Sequence, residues 1–159
     1  MSRFTYQLAR PAEAEIIANL SRTLIEKGLA PAWTAPRIRW HIRHRDSIVL
    51  TAKVSTLLVG FAIMEFGDTE AHLNLLGVLP HYQRRGIGRE LLGWLEASAI
   101  TAGTFFIKLE VRAGNMAARN FYASLGYREV AEIAGYYQGR EAAVRMTRDL
   151  RLDCPRLES

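Results

Sequence analysis

The chain has 159 residues, is 49% hydrophobic and 23% charged, and carries a formal charge of +5 with a pI near 9.7. That is length for one domain with its own core, and the composition excludes collagen-like, disordered and disulfide-stapled classes. The mild basic excess favours an anionic partner, either a phosphorylated small molecule or nucleic acid. The single cysteine, Cys154, allows no intrachain disulfide and fits a reducing compartment. It sits in the polar tail RLDCPRLES and is read as a bystander. The opening MSRFTYQLARPAEAE has no apolar run of signal-peptide length, and no stretch approaches ~18 apolar residues, so a cytoplasmic protein is expected.

In chain order, Phe4 to Leu8 reads as a first strand. Pro11 opens a helix with Glu13 and Glu15 in its first turn, where they suit the dipole. Ile16, Ile17, Leu20 and Leu24 form its expected apolar stripe, and Gly28 stops it. A shorter helix starts at Thr34 with Pro36 near its first turn and carries Ile38 and Ile42. SIVLTAKV (47–54) and LLVGFAIMEF (57–66) read as a hairpin turning at Ser55-Thr56. Gly67-Asp68 turns the chain into AHLNLLGVL (71–79), closed by Pro80. The next helix spaces Ile87, Leu91, Leu95 and Ala99 by four and ends at Gly103. FFIKLEV (105–111) is a strand. Asn115 is a good N-cap for a helix with Ala118, Phe121, Tyr122 and Leu125 on one stripe, and Gly126 caps its end. YREVAEIAGYY (127–137) and AAVRMTRDL (142–150) close as an antiparallel pair. The order β-α-α-β-β-β-α-β-α-β-β mixes hairpin and helix connections, which implies one mixed α/β sheet with helices on its faces.

The stretch HYQRRGIGRELL (81–92) carries the chemistry. A strand, a glycine loop and a helix start together make a phosphate cradle, because the first N–H groups of a helix are unpaired and glycine lets the backbone approach. A P-loop would need Gly-Lys-Ser/Thr, which is absent. A dinucleotide loop would need a third glycine where Leu91 stands.

QRRGIG (83–88) resembles the Q/R-x-x-G-x-G/A pyrophosphate loop of the GNAT superfamily, the acetyl-CoA-dependent N-acetyltransferases. The element order resembles the GNAT fold over roughly residues 3–150. LEVRAGNMAARNFYASLGY (109–127) is similar to the family pattern L-E-V-R-x-x-N-x-x-A-x-x-F/L-Y-x-x-x-G-F/Y. The resemblance implies a mixed central sheet with about four helices and a splayed central parallel strand pair, in a single domain over residues 1–150 with a tail at 151–159. It implies that the cofactor arm runs along Leu76, Gly77 and Val78, with an easy bulge at Gly77. The diphosphate would rest on Gln83, Arg84, Arg85, Gly86, Ile87, Gly88 and Arg89, and Asn115 would cap its helix or touch the arm.

Tyr122 matches the family's tyrosine acid, against the plainer reading of a core aromatic. Glu110 matches the glutamate that acts as base in the ribosomal-protein N-terminal alanine acetyltransferases, against a solvent-facing strand residue. His72 and a water chain are the other bases. GYYQGREAAVRM (135–146) resembles those enzymes' Tyr-Tyr…Arg-Glu-Asp-Ala, but Ala142 replaces the aspartate. Tyr136 and Tyr137 either wall the acceptor site or pack on the sheet. APAWTAPRIRWHIRHRD (30–46) has no close match there. Its arginines read as a solvated face, or as a site for an acidic acceptor or nucleic acid. His41 and His44 are spaced as metal ligands without a third, so no metal is expected.

The expected activity is direct acetyl transfer from acetyl-CoA, the co-substrate, to a primary amine, with a peptide N-terminus or a small molecule as acceptor. The alternative is a non-catalytic acetyl-CoA-binding module. The reading weighs against nucleic acid and membrane as partners and allows a homodimer.

Overall fold

The computed structural model describes residues 3–153, so Cys154 lies outside the described residues. Seven strands form one sheet: β1 (Thr5–Leu8), β2 (Ser47–Val54), β3 (Leu57–Phe66), β4 (Glu70–Val78), β5 (Phe106–Arg112), β6 (Arg128–Tyr137) and β7 (Glu141–Asp149). Their spatial order is β1-β2-β3-β4-β5-β7-β6. Every neighbouring pair is antiparallel except β4–β5, which is parallel. The helices are α1 (Ala14–Leu24), α2 (Ala35–Arg43), α3 (Ile87–Thr101), α4 (Met116–Ser124) and a terminal turn α5 (Leu150–Asp153).

Period-two alternation sorts the central strands between two cores. On β3, Phe61 and Ile63 face one side and pack with Ile17 and Ala18 of α1 and Ile38 of α2. Ala62 and Met64 face the other and pack with Ile87, Leu91, Leu92 and Leu95 of α3 and Tyr122 of α4. Both faces are covered, so β2 and β3 read as nearly unbroken apolar runs. Leu91, Leu92 and Leu95 are fully buried, each stabilising the fold by about 1.5–3 kcal/mol.

Three expectations need correcting. Ile16 is half exposed; the inward face of α1 is Ala14, Ile17, Ala18 and Ser21, with Leu20 and Leu24 packed against the same core as expected. The chain enters α1 through a 3-10 turn, Pro11–Glu13. Its Glu13 is buried, accepts from the Arg10 N–H at 2.8 Å and pairs with Lys53. Next, α1 ends at Leu24 rather than running on to Gly28. Finally, the β4 bulge is at Asn74, where the register with β3 slips, and not at Gly77. Gly77 serves close approach instead: a Cβ there would meet the Phe61 ring at 2.7 Å. The terminal turn α5 was not anticipated; it buries Leu150.

Candidate active site

The loop between β4 and α3 folds into a concavity of N–H groups. Arg84 takes φ +64° and Gly86 takes φ +84°, while Gln83 is extended. A left-handed turn just ahead of a helix N-terminus is a backbone setting in which N–H groups form an anion nest. Gly86 is the N-cap of α3 and offers no side-chain cap, so the first N–H groups of a fifteen-residue helix stay available. Gly88 sits under the Phe121 ring, where a Cβ would come within 3.1 Å, so α3 and α4 close tightly at this end. Arg84, Arg85 and Arg89 are exposed, and none forms an ion pair among the described residues. Gln83 spends its side chain internally, donating to the Val78 carbonyl at 3.0 Å, which ties the loop to the end of β4.

The strand that feeds this loop opens away from its neighbour. Parallel pairing of β4 with β5 covers Glu70↔Phe106, Ala71↔Ile107 and His72↔Lys108, and then stops. From Leu73 onward β4 pairs with β3 alone, while β5 continues against β7 through Arg112. Leu76, Gly77 and Val78 therefore lie on the open arm of a V whose mouth is the nest. The Asn74 bulge adds to the twist at the point of separation.

At the apex of the V stands an acid held by three donors. Glu110, on β5, has a side chain 5% exposed. Its Oε1 accepts from His72 Nε2 at 2.6 Å and from the Tyr136 hydroxyl at 3.2 Å, and its Oε2 accepts from Arg145 Nε at 2.7 Å. Burial pushes the Glu110 pKa upward, but the bonds and charges of His72 and Arg145 outweigh it and hold the carboxyl at about 2. The His72 ring also meets Asn74 Oδ1 through Nδ1, and Asn74 Nδ2 donates to Glu65 Oε1 at 3.3 Å. Glu65 accepts only, which orients the Asn74 amide, so both ring nitrogens of His72 face acceptors.

Tyr122, on α4, is 7% exposed and belongs to the core cluster that contains Leu73, Leu109 and Val111, with Leu76 and Val78 at its edge. Its ring packs edge-on against Phe121 and Tyr127, with centroids 5.1 and 5.8 Å away. Burial pushes its phenol pKa well above the usual value, with a smaller contribution from Tyr137, so the group holds its proton firmly. Tyr137 is within electrostatic reach of both Tyr122 and Glu110. Asn115 caps α4, its Oδ1 accepting from the Ala118 N–H at 3.0 Å.

The loop between α1 and α2 is moored over this end of the sheet by residues that carried no signal in the sequence. Glu26, buried, accepts from the Ser21 hydroxyl at 2.8 Å and from the N–H groups of Ala32 and Trp33. Arg112 donates to the Ile25 carbonyl at 3.0 Å and to Glu141 at 3.1 Å. Gln138, at the tip of the β6–β7 hairpin, accepts from Ala30 N–H at 3.0 Å and donates to Ala30 O at 2.8 Å. Arg145 and Asn74 were missed as well. The one available signal was a polar residue breaking an apolar run, as Arg145 does in AAVRM.

His41 and His44 do not converge on a common point. His41 is buried and its Nδ1 bonds Ser47 Oγ at 2.9 Å, while His44 stacks on Trp40. Among the described residues no group of three or more metal-ligating side chains is found.

A mixed sheet that opens at its one parallel pair, with an anion nest at the mouth and a tyrosine and an acid toward the apex, defines an acyl-transfer fold. The chain belongs to the Acetyltransferase (GNAT) family, which matches residues 14–127. It is 42% identical over 92 residues to the ribosomal protein bS18-alanine N-acetyltransferase of Salmonella typhimurium, covering 56% of this chain and 62% of that protein. It therefore spans less than two thirds of that relative's length in the matched region. The crystal structure of the ribosomal-protein-S18-alanine N-acetyltransferase from Escherichia coli superposes with a TM-score of 0.79 at 27% identity, covering 92% of this chain and 94% of that one. The fold of Ard1 from Thermoplasma volcanium also matches, with a TM-score of 0.82 at 23% identity over 94% and 99% of the two chains.

Proposed function

We propose that the chain moves an acetyl group from acetyl-CoA to a primary α-amine, the N-terminus of a protein or peptide, by direct transfer. The observation that carries this reading is the V between β4 and β5, with its nest at the mouth and the Glu110 cluster at its apex. The residues fit acetyl-CoA: the Arg84–Arg89 loop suits a diphosphate, and β4 from Leu76 to Val78 suits an extended arm that pairs with a strand. Acetyl-CoA supplies an activated thioester. The chain's own groups bind it, place it and manage protons. The match to bS18-alanine N-acetyltransferases supports a protein N-terminus as acceptor.

Tyr122 is placed as the acid. A phenol that holds its proton firmly donates it to the departing sulfur or stabilises its charge. Glu110 has a different task from the base expected of it. A carboxylate held at about 2 is too acidic to keep an amine's proton, and an efficient base titrates near the working pH. As a fixed anion it draws the acceptor's ammonium toward the apex, and the proton leaves to water. This arrangement favours acceptors that lose their proton unaided. An α-amine with pKa near 8 is about a quarter neutral at pH 7.5, whereas a lysine near 10.4 is about a thousandth neutral.

The test is a thiol-release assay with acetyl-CoA and a panel holding free-N-terminus peptides, N-terminally blocked lysine peptides and small amines. Turnover with the first set, rising with pH toward the α-amine's own pKa, is expected. Equal turnover on blocked lysine peptides would overturn the α-amine assignment.

A further inference from the structure

Several acids of the domain pair with arginines that serve the fold. Arg112 pairs with Glu141, Arg119 with Glu129, Arg145 with Glu110, Arg148 with Glu96 and Arg151 with Asp149. Two clusters of arginines form no ion pair among the described residues. One is Arg84, Arg85 and Arg89, which the diphosphate accounts for. The other is Arg37, Arg39, Arg43 and Arg45, on α2 and the turn after it, in a segment whose single acid is Asp46. Like charges three to four residues apart on a helix repel and destabilise it slightly. Arg37 does tie the preceding loop to α2 by donating to the Ala32 carbonyl at 3.2 Å, but no ion pair offsets the repulsion within the array.

The same face carries stacked planar groups. The Arg37 guanidinium lies 3.7 Å from the centroid of the Trp33 ring. Trp40 stacks on His44 at 4.2 Å with 28° between the planes, and meets His41 edge-on at 4.8 Å. The helix is anchored from its other side by buried Ile38 and His41, so these groups are held rather than loose. Trp40 nonetheless stays 50% exposed. A half-exposed tryptophan, propped by a second ring and flanked by unpaired guanidinium groups, matches the way single strands are held: bases stack and phosphates meet arginine.

We propose that the outer face of α2, formed by Arg37, Trp40, Arg43, His44 and Arg45, docks single-stranded nucleic acid. The sequence reading weighed against nucleic acid as a partner. The concentration of charge on one face, beside a stacking platform, reverses that weighing. An acidic peptide would neutralise the arginines but offers no planar group for Trp40 by virtue of its charge. None of these residues belongs to the Glu110 cluster or the Arg84–Arg89 loop, so the proposal does not rest on the acetyl-transfer reading.

The test is fluorescence anisotropy of a labelled mixed-sequence single-stranded RNA of 12 nucleotides (about the length an aromatic-basic groove tracks), with saturating acetyl-CoA present to occupy the Arg84–Arg89 loop. A single-stranded DNA arm and an oligo-glutamate arm run beside it. With about four phosphates neutralised, binding should weaken roughly 50-fold between 50 and 200 mM salt. Trp40→Ala should weaken it about 5-fold or more, Trp40→Phe should restore most of the loss, and Arg43→Glu with Arg45→Glu should flatten the salt slope by about 1.4. Unchanged melting temperature and peptide turnover would show these variants to be folded. Preference between RNA and DNA identifies the source. Binding unaffected by the α2 variants, binding abolished by acetyl-CoA, or tighter capture of oligo-glutamate than of either strand would each overturn the proposal.

Discussion

At the residue scale, the site rests on two side chains with opposite proton habits. In the proposed mechanism Tyr122 keeps its proton until a thiolate forms, so Tyr122→Phe should bind acetyl-CoA normally while kcat falls about 100-fold or more. Calorimetry for binding and initial rates for turnover separate the two. Glu110 gives up its proton far below the ordinary carboxylate range. Its folded pKa is depressed, so its contribution is fully present above about 4.5 and disappears as pH falls toward 2. Glu110→Gln should therefore lower stability by about 2 kcal/mol at pH 6 and by almost nothing near pH 2, read from melting curves across that range. Sequence reasoning found both residues through motif spacing. It could not find what holds Glu110, because His72, Asn74, Tyr136 and Arg145 come from β4, β6 and β7 and meet only after the strands are in register.

At the element scale, the β4–loop–α3 unit does most of the positioning. Its glycines were legible, since two glycines behind arginines at a helix start have few uses. Their separate tasks were not. Gly86 supplies a left-handed backbone and Gly88 makes room for Phe121. Gly77, read from the sequence as a bulge, makes room for Phe61 while Asn74 takes the bulge. Gly77→Ala should therefore cost about 1–3 kcal/mol in denaturant unfolding by overpacking Phe61. Replacing Arg84 and Arg85 together by alanine should raise the KM for acetyl-CoA roughly tenfold, with kcat little changed, as loss of charge-assisted contacts to phosphate requires. The α1 stripe shows where periodicity alone falls short: Ile17, Leu20 and Leu24 pack against the core as expected, but Ile16 is half exposed.

At the scale of the whole molecule, the succession of elements along the chain was legible because apolar runs, turn residues and helical spacing agree along the whole chain. The splay of β4 from β5 could come only through family resemblance, since an open strand edge has no local sequence pattern. That opening is a thermodynamic handle. Acetyl-CoA at about 100 times its dissociation constant adds about 2.7 kcal/mol to the folded state, which for a chain of this size raises the melting midpoint by roughly 5–10 °C. ATP and NAD should give no comparable rise. No helix among the described residues is long and apolar enough to cross a membrane.

The most direct test of acetyl transfer to an α-amine is mass spectrometry of two matched peptides incubated with the enzyme and acetyl-CoA. One has a free N-terminus and no lysine, the other a blocked N-terminus and one lysine. A single acetyl group is expected on the first and little on the second, with modification of the first slowed about 100-fold or more by Tyr122→Phe. Acetyl-CoA that stabilises the fold yet leaves every peptide unmodified would contradict it and identify a binding module instead.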